Sequence, residues 1–280
     1  MSQVWLITGT SSGLGMEFVK AVLDRGDKVI ATARNVDRIA HFKDLGATTM
    51  QLDVTAPQDE LDRKAQEAIA TYGKIDVLVN NAGYVHFGVV EEASHDQWQT
   101  QFNTNVFGTL NTTRSFLPHM RSKKAGTIVF IGSMVAWDGV PTVGVYCASK
   151  AAIHYAVESL SRELAPIGLK TLLVEPGTFR TDFLLETNKK TAPSKFEDYR
   201  EISETLKGQF DSLHGNQAGD ARRGVERVID VVKGENGAAG KEWPASLALG
   251  TDAVATIRKK CEDTLRQLSE WEQLSTSTDV

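Results

Sequence analysis

Val4-Trp5-Leu6-Ile7-Thr8-Gly9-Thr10-Ser11-Ser12-Gly13-Leu14-Gly15 is the stretch that decides the fold. Its four leading apolar residues show no polar alternation, which reads as a parallel strand covered on both faces. A glycine-rich turn follows, then Gly13–Arg25 with helical apolar spacing, and Gly26 stands where a helix stop belongs. A strand that turns directly into a helix aims the helix N–H groups and positive dipole end at one point, a setting suited to phosphates. Glycines let the backbone turn sharply and approach a pyrophosphate with no Cβ in the way. Alone, three close glycines read equally well as a structural turn; the flanking strand and helix favour a dinucleotide site.

Outward from this turn, short apolar runs alternate with longer amphipathic stretches. Lys28–Ala33, Thr48–Leu52, Val77–Asn80, Thr127–Ile131 and Lys170–Val174 read as further strands. Ala56–Tyr72, Asp96–Met120 and Val145–Ala165 have helical length and spacing. Strand–helix–strand repetition with right-handed crossovers predicts an α/β fold, a Rossmann-like doubly wound parallel sheet with helices on both faces. No linker or repeat divides the chain, so residues 1–280 are expected to form a single domain. After Pro176-Gly177 the pattern changes, and residues 178–219 read as a polar insertion with short helices over the site, a candidate lid. A helix near Asp220–Val232, a strand near Ala245–Leu249 and a charged helix from Thr251 to about Gln273, with a tail to residue 280, complete the chain.

Composition narrows the function. The 280 residues carry a net charge of -5 with scattered Lys and Arg, which leaves no footprint for nucleic acid or an anionic membrane. Two cysteines, Cys147 and Cys261, make no disulfide framework, and neither they nor the six histidines have metal-ligand spacing. Cys147 adjoins Tyr146 in sequence but points elsewhere on a helix and reads as a structural thiol. The first residues lack a signal-peptide pattern and no apolar run is long enough to span a bilayer. The expectation is a cytoplasmic protein with no metal, no nucleic-acid partner and no membrane partner.

The second predicted strand ends Ala33-Arg34-Asn35, with no carboxylate where an NAD-binding fold places one for the ribose hydroxyls. Arg34 instead offers a guanidinium to the 2′-phosphate of NADP; it also reads as a solvated residue opening a helix. Thr10 and Ser11 offer hydroxyl contacts beside it.

Tyr146 and Lys150 are four apart on a predicted helix and share one face. Ser133 follows the strand Thr127–Ile131 by two residues, Asn105 lies on the preceding helix, and Asn80-Asn81-Ala82-Gly83 closes the fourth strand. All belong near the carboxyl edge of the sheet, where such folds bind ligands. Alone, a Tyr/Lys pair at this spacing reads as a surface pair; with these motifs around it, the residue types fit carbonyl chemistry. Hydride transfer to a ketone builds negative charge on its oxygen, which then needs a proton. A phenol supplies one, and a neighbouring ammonium lowers its pKa from about 10 towards neutrality.

In order and spacing, from Val4 to Thr181, these motifs resemble the short-chain dehydrogenase/reductase family, whose glycine turn has the offsets of four and two found here. The resemblance implies an NADP(H)-dependent oxidoreductase acting on CH–OH donors or their carbonyls. It implies Asn105, Ser133, Tyr146 and Lys150 as the catalytic set. Lys150 also holds the nicotinamide ribose, Ser133 the substrate oxygen, and Asn105 a helix distortion with a water in the proton relay. It assigns cofactor contacts to Gly9, Thr10, Ser11, Ser12, Gly13, Leu14, Gly15, Arg34, Asp53, Val54, Asn81, Ala82, Gly83, Tyr146, Lys150, Pro176, Gly177 and Thr181. Asp53 and Thr181 also read as caps of the segments after them.

Met134, Val135, Trp137, Val143, Phe179 and Phe183, with Val140, make an apolar candidate wall, so the expected substrate is a medium-sized, largely apolar ketone, aldehyde or alcohol. Epimerisation or dehydration with the same tyrosine, and cofactor sensing without turnover, are the alternatives. Family members pair through the two long helices, which implies a homodimer or homotetramer.

Overall fold

The structure is a computed structural model that describes residues 2–181, 189–191 and 194–280. Its centre is a sheet of seven strands: β1 (Val4–Ile7), β2 (Lys28–Ala33), β3 (Thr48–Gln51), β4 (Val77–Asn80), β5 (Thr127–Ile131), β6 (Lys170–Pro176) and β7 (Ser246–Leu249). They lie in the order β7-β6-β5-β4-β1-β2-β3, every neighbouring pair parallel. Leu6 stands beside Ile30 on one side and Leu78 on the other. The strand order therefore reverses at β1, and a crevice opens beyond the carboxyl ends of β1 and β4.

Alternate residues of β1 serve opposite faces, as the two-residue period of a strand requires. Trp5 and Ile7 pack with Phe18 and Val22 of α1 (Gly13–Asp24) and with Val225, Val228 and Ile229 of α7 (Ala221–Lys233). Val4 and Leu6 pack on the other face with Ala65 of α2 (Gln58–Tyr72), Phe116, and Ile153 and Val157 of α5 (Gly144–Leu164). All of these side chains are buried, and each large one contributes about 1.5–3 kcal/mol by leaving water. This double cover explains why the strands lack polar alternation.

One expected helix is not continuous. The stretch read as Asp96–Met120 consists of α3 (His95–Phe102), a π-helical turn over Asn103–Gly108, and α4 (Thr109–Lys123). Gly108 permits the close approach here, since a Cβ on it would stand 2.7 Å from the Val54 carbonyl oxygen. The insertion contains α6 (Arg200–Leu213), and its two ends are joined by a short parallel pair, Phe179–Arg180 with Gly219–Asp220. Val85–Phe87 pairs in parallel with Lys189–Thr191. The last helix, α8 (Thr251–Thr276), is tied down by its first turn, where Ala253 is buried and the Asp252 carboxylate accepts from Thr178 N and Oγ1, both at 2.7 Å. Among the described residues no helix is long and apolar enough to cross a membrane.

Candidate active site

The crevice is a cleft of about 620 Å³ that runs from the first turn of α1 to the inner face of α6. Its floor is made by the ends of β1 and β4, locked by the Thr8 hydroxyl. Thr8 Oγ1 accepts from Asn81 N at 2.9 Å and Ala82 N at 3.0 Å, and itself donates to the Val79 carbonyl at 3.3 Å. The Asn81 amide returns the tie, donating to Thr8 O at 2.8 Å and Gly9 O at 3.0 Å. Gly9 has a φ of +68° and its missing Cβ would stand 2.8 Å from Ala82 Cα. Only glycine satisfies both conditions.

Gly9, Ser11, Ser12, Gly13 and Leu14 line the cleft. Ser12 precedes α1 and makes no side-chain capping bond, and the first turn holds no acidic residue. The helix therefore presents uncompensated N–H groups and its positive end, which fits an anionic dinucleotide. Two expected contacts lie elsewhere. Thr10 is fully buried and spends its hydroxyl on the Thr32 carbonyl at 3.1 Å, stitching β1 to β2, so that side chain does not reach the cleft. Gly15 packs away from the cleft against the turn: a Cβ on it would fall on the Gly9 carbonyl oxygen and lie 2.5 Å from Asn81 Nδ2.

Arg34 lines the cleft at the end of β2, and Arg38, in the short 3₁₀ helix that follows, lines it too, a cation that the sequence pattern did not single out. Two guanidiniums and no carboxylate at this strand end suit an added phosphate. Tyr84 stands beside them. Burial pushes its phenol up to about 12, against the pull of Arg34. Asp53 and Val54 line the same region. The Asp53 carboxylate accepts from Thr55 N at 2.9 Å and Thr55 Oγ1 at 2.8 Å, so it caps its own turn as well.

At the middle of the cleft stand Ser133, Tyr146 and Lys150. Ser133 ends the run after β5 and hydrogen-bonds the Tyr146 hydroxyl. Lys150, one turn along α5, is buried and donates to the Ile131 carbonyl at 2.6 Å. Its Nζ lies 5.7 Å from the centre of the Tyr146 ring. Desolvation brings the Lys150 ammonium down to about 8. Tyr146 differs from the expectation of a lowered phenol: burial pushes it upward, and the Ser133 hydrogen bond only partly offsets this. The cause is the dryness of the site, which disfavours phenolate more than the Ser133 bond favours it.

Asn105 lies within the π-helical turn and is buried behind the cleft instead of lining it. Its Oδ1 accepts from Tyr84 N at 3.2 Å, and its Nδ2 donates to Tyr84 O at 3.1 Å and to Ser149 Oγ at 3.2 Å. One amide thus couples the Asn81–Tyr84 segment to the helix that carries Tyr146. Ala82, Gly83, Pro176, Gly177 and Thr181 line the cleft. Gly177 lacks a Cβ where one would collide with the Asp252 carboxylate.

The apolar wall differs in part from the sequence reading. Met134, Val135, Val140, Val143 and Phe179 line it. Trp137 does not: the short turn Met134–Ala136 carries it to the far side, where its indole donates to Glu175 Oε1 at 2.7 Å and packs edge-on against His154. Phe183 lies outside the described residues. Val85, Phe87, Phe210, Leu213 and Gln217 complete the wall, and Phe87 meets Phe210 edge-on at 5.1 Å. Sequence reasoning missed them because they come from α6, the loop after it and the short strand Val85–Phe87, which no local pattern ties to Tyr146.

Comparison with known proteins agrees with this geometry. Residues 3–192 match the family described as short chain dehydrogenase. An oxidoreductase designated BOA17 from Botryotinia fuckeliana is 29% identical over 279 residues, covering 98% of both chains. A short-chain dehydrogenase from Streptomyces avermitilis superposes with a TM-score of 0.88 at 33% identity, covering 99% of this chain and 98% of its own. A serine dehydrogenase solved in a closed form with NADP+ reaches a TM-score of 0.71 at 26% identity, covering 88% of this chain and 94% of its own.

Proposed function

This chain belongs to the short-chain dehydrogenase family of oxidoreductases, and on that premise we propose that it is an NADP(H)-dependent carbonyl reductase or secondary alcohol dehydrogenase. The observation that carries the reading is the trio in the middle of the cleft: Tyr146 hydrogen-bonded to Ser133, with the buried Lys150 ammonium on the same helix face. When bound, the nicotinamide dinucleotide supplies or accepts the hydride. Arg34 and Arg38 bind its 2′-phosphate, and the first turn of α1 its pyrophosphate. The absence of a carboxylate at the end of β2 supports this cofactor over NAD.

Ser133 holds the substrate oxygen and Tyr146 donates a proton to it as charge develops there. Lys150 stabilises the phenolate that remains, and Asn105 is a positioning residue that keeps Tyr84 and α5 in register. A neutral phenol matches the direction of reduction, since the proton must be present to be given. Lys150 sets the tighter limit on the same side, because its ammonium is lost above about pH 8. Reductase turnover is therefore expected to fall as pH rises through that value. The substrate is a medium-sized, mainly apolar ketone or aldehyde, in keeping with the Val, Phe and Leu lining. Homo-oligomerisation through α4 and α5 is supported by Tyr155 of α5, 69% exposed, and by Phe107 of the π-helical turn that leads into α4, 53% exposed.

The test is NADPH consumption across a panel of apolar ketones and aldehydes, with Tyr146→Phe beside the unaltered protein. The variant is expected to lose turnover about 1,000-fold while retaining NADPH affinity. Turnover surviving in Tyr146→Phe would overturn the assignment.

A further inference from the structure

Gln217 is 1% exposed and lines the cleft beside Phe179, Phe210 and Leu213. Neither its Oε1 nor its Nε2 meets a hydrogen-bond partner, and among the described residues it alone leaves both atoms of a carboxamide buried and unpaired. Its backbone, in contrast, is tied: the Gln217 carbonyl accepts from Arg180 Nη2 at 3.1 Å, and Gly219–Asp220 pairs with Phe179–Arg180 two residues later. Asp220 then caps α7 by accepting from Arg223 N at 2.8 Å. The side chain is thus held in an apolar wall by a fixed backbone, with donors and an acceptor directed at no protein atom. A buried amide without a partner lowers stability unless something else supplies the bond.

We infer that Gln217 anchors the substrate through a second polar group, a neutral hydroxyl or amide, carried on the apolar skeleton away from the reacting carbonyl. An amide is matched to such groups because it offers two donors and a carbonyl acceptor together. A neutral group fits because, among the described residues, the cations on the cleft lining are Arg34, Arg38 and Lys150, which stand at the end of β2 and beside Tyr146 and not on this wall. Phe210 shares the wall with Gln217 and packs in the cluster that holds Tyr146 and Val143. A ligand along that wall therefore reaches from the carbonyl position to the amide across an apolar span. The inference rests on the carbonyl reductase reading and narrows its substrate to ketones with one remote polar function. Selectivity follows from the same imbalance, since an analogue lacking the polar group leaves the amide unpaired.

The experiment compares a series of 2-alkanones with their terminally hydroxylated counterparts, using the full chain and Gln217→Met, which keeps the length and removes the amide. Kinetics and ligand-induced melting shifts are both recorded. In the unaltered protein the hydroxylated ketone of fitting length is expected to show at least tenfold higher kcat/KM than its plain counterpart. In Gln217→Met that advantage disappears, chiefly through KM, and NADPH affinity is unchanged. Loss of activity on both ketone types together with weaker NADPH binding would assign Gln217 to the cofactor and overturn the inference. No change in selectivity would overturn it equally. If the unaltered protein reduces neither ketone type, the reductase reading fails; the melting shifts then still decide about Gln217, because only the hydroxylated compounds should raise the melting temperature, and only in the unaltered protein.

Discussion

The two ends of the cleft are built on opposite plans. At the dinucleotide end, Thr8, Gly9, Asn81 and Ala82 are tied by hydrogen bonds between adjacent strand ends, and Gly9 and Gly15 leave no room for a methyl group. At the other end, Phe179, Phe210, Leu213 and Gln217 arrive from outside the central sheet, and Gln217 keeps both amide atoms unpaired. The first region derives its shape from the sheet itself. The second derives it from side chains that can be exchanged while the sheet stays intact. A cofactor of constant shape suits the former, and a substrate that differs between relatives suits the latter.

Four substitutions break or sharpen this contrast. Gly15→Val places side-chain atoms on the Gly9 carbonyl and against Asn81. It is expected to lower NADPH affinity at least a hundredfold, about 3 kcal/mol, as read by calorimetry; retained affinity would mean that the turn yields. Lys150 gives a pH signature of similar size. Its folded-state pKa of about 8 lies below the ordinary 10.5, so between these values the unfolded chain binds more protons and stability rises with pH, by up to about 3 kcal/mol. The raised Tyr146 phenol opposes this above about pH 10, which makes pH 8 to 10 the window to examine by urea unfolding of the cofactor-free protein. Lys150→Met should flatten the rise. Arg34→Glu should shift the NADPH-over-NADH preference by about thirtyfold, roughly 2 kcal/mol, in the ratio of kcat/KM values. Phe210→Ala should be mildest, raising KM for apolar ketones several-fold, about 1 kcal/mol, with NADPH affinity untouched. A large loss of NADPH affinity in Phe210→Ala would erase the distinction between the two ends.

The same contrast governs what the sequence could reveal. Val4–Gly15 was legible because a buried strand, a tight turn and a helix start each impose local residue choices, and the cofactor end is assembled from such local pieces. Thr10 was misread because its position in the turn says nothing about whether its hydroxyl faces the cleft or the neighbouring strand; β2 captures it. Trp137 was misread for a related reason: nearness to Ser133 in sequence suggests the pocket, yet one short turn swings the indole to Glu175. Apolar spacing over Asp96–Met120 does not mark the π-helical turn; only the resemblance implied a distortion there, at Asn105, and the turn depends on Gly108 meeting Val54 across the fold. Phe210 and Gln217 had no local signal at all, because their place on the wall depends on how the insertion folds back.

That insertion leaves the body and returns to it through one clasp, Phe179–Arg180 laid parallel to Gly219–Asp220. Because the two stems are pinned together, the segment between them is a closed loop, and lengthening it costs only about 0.6 kcal/mol per doubling. In engineering terms the clasp is a socket. A foreign loop grafted between Thr181 and Gly219 would leave Ser133, Tyr146 and Lys150 in place while replacing the wall that α6 supplies to the cleft.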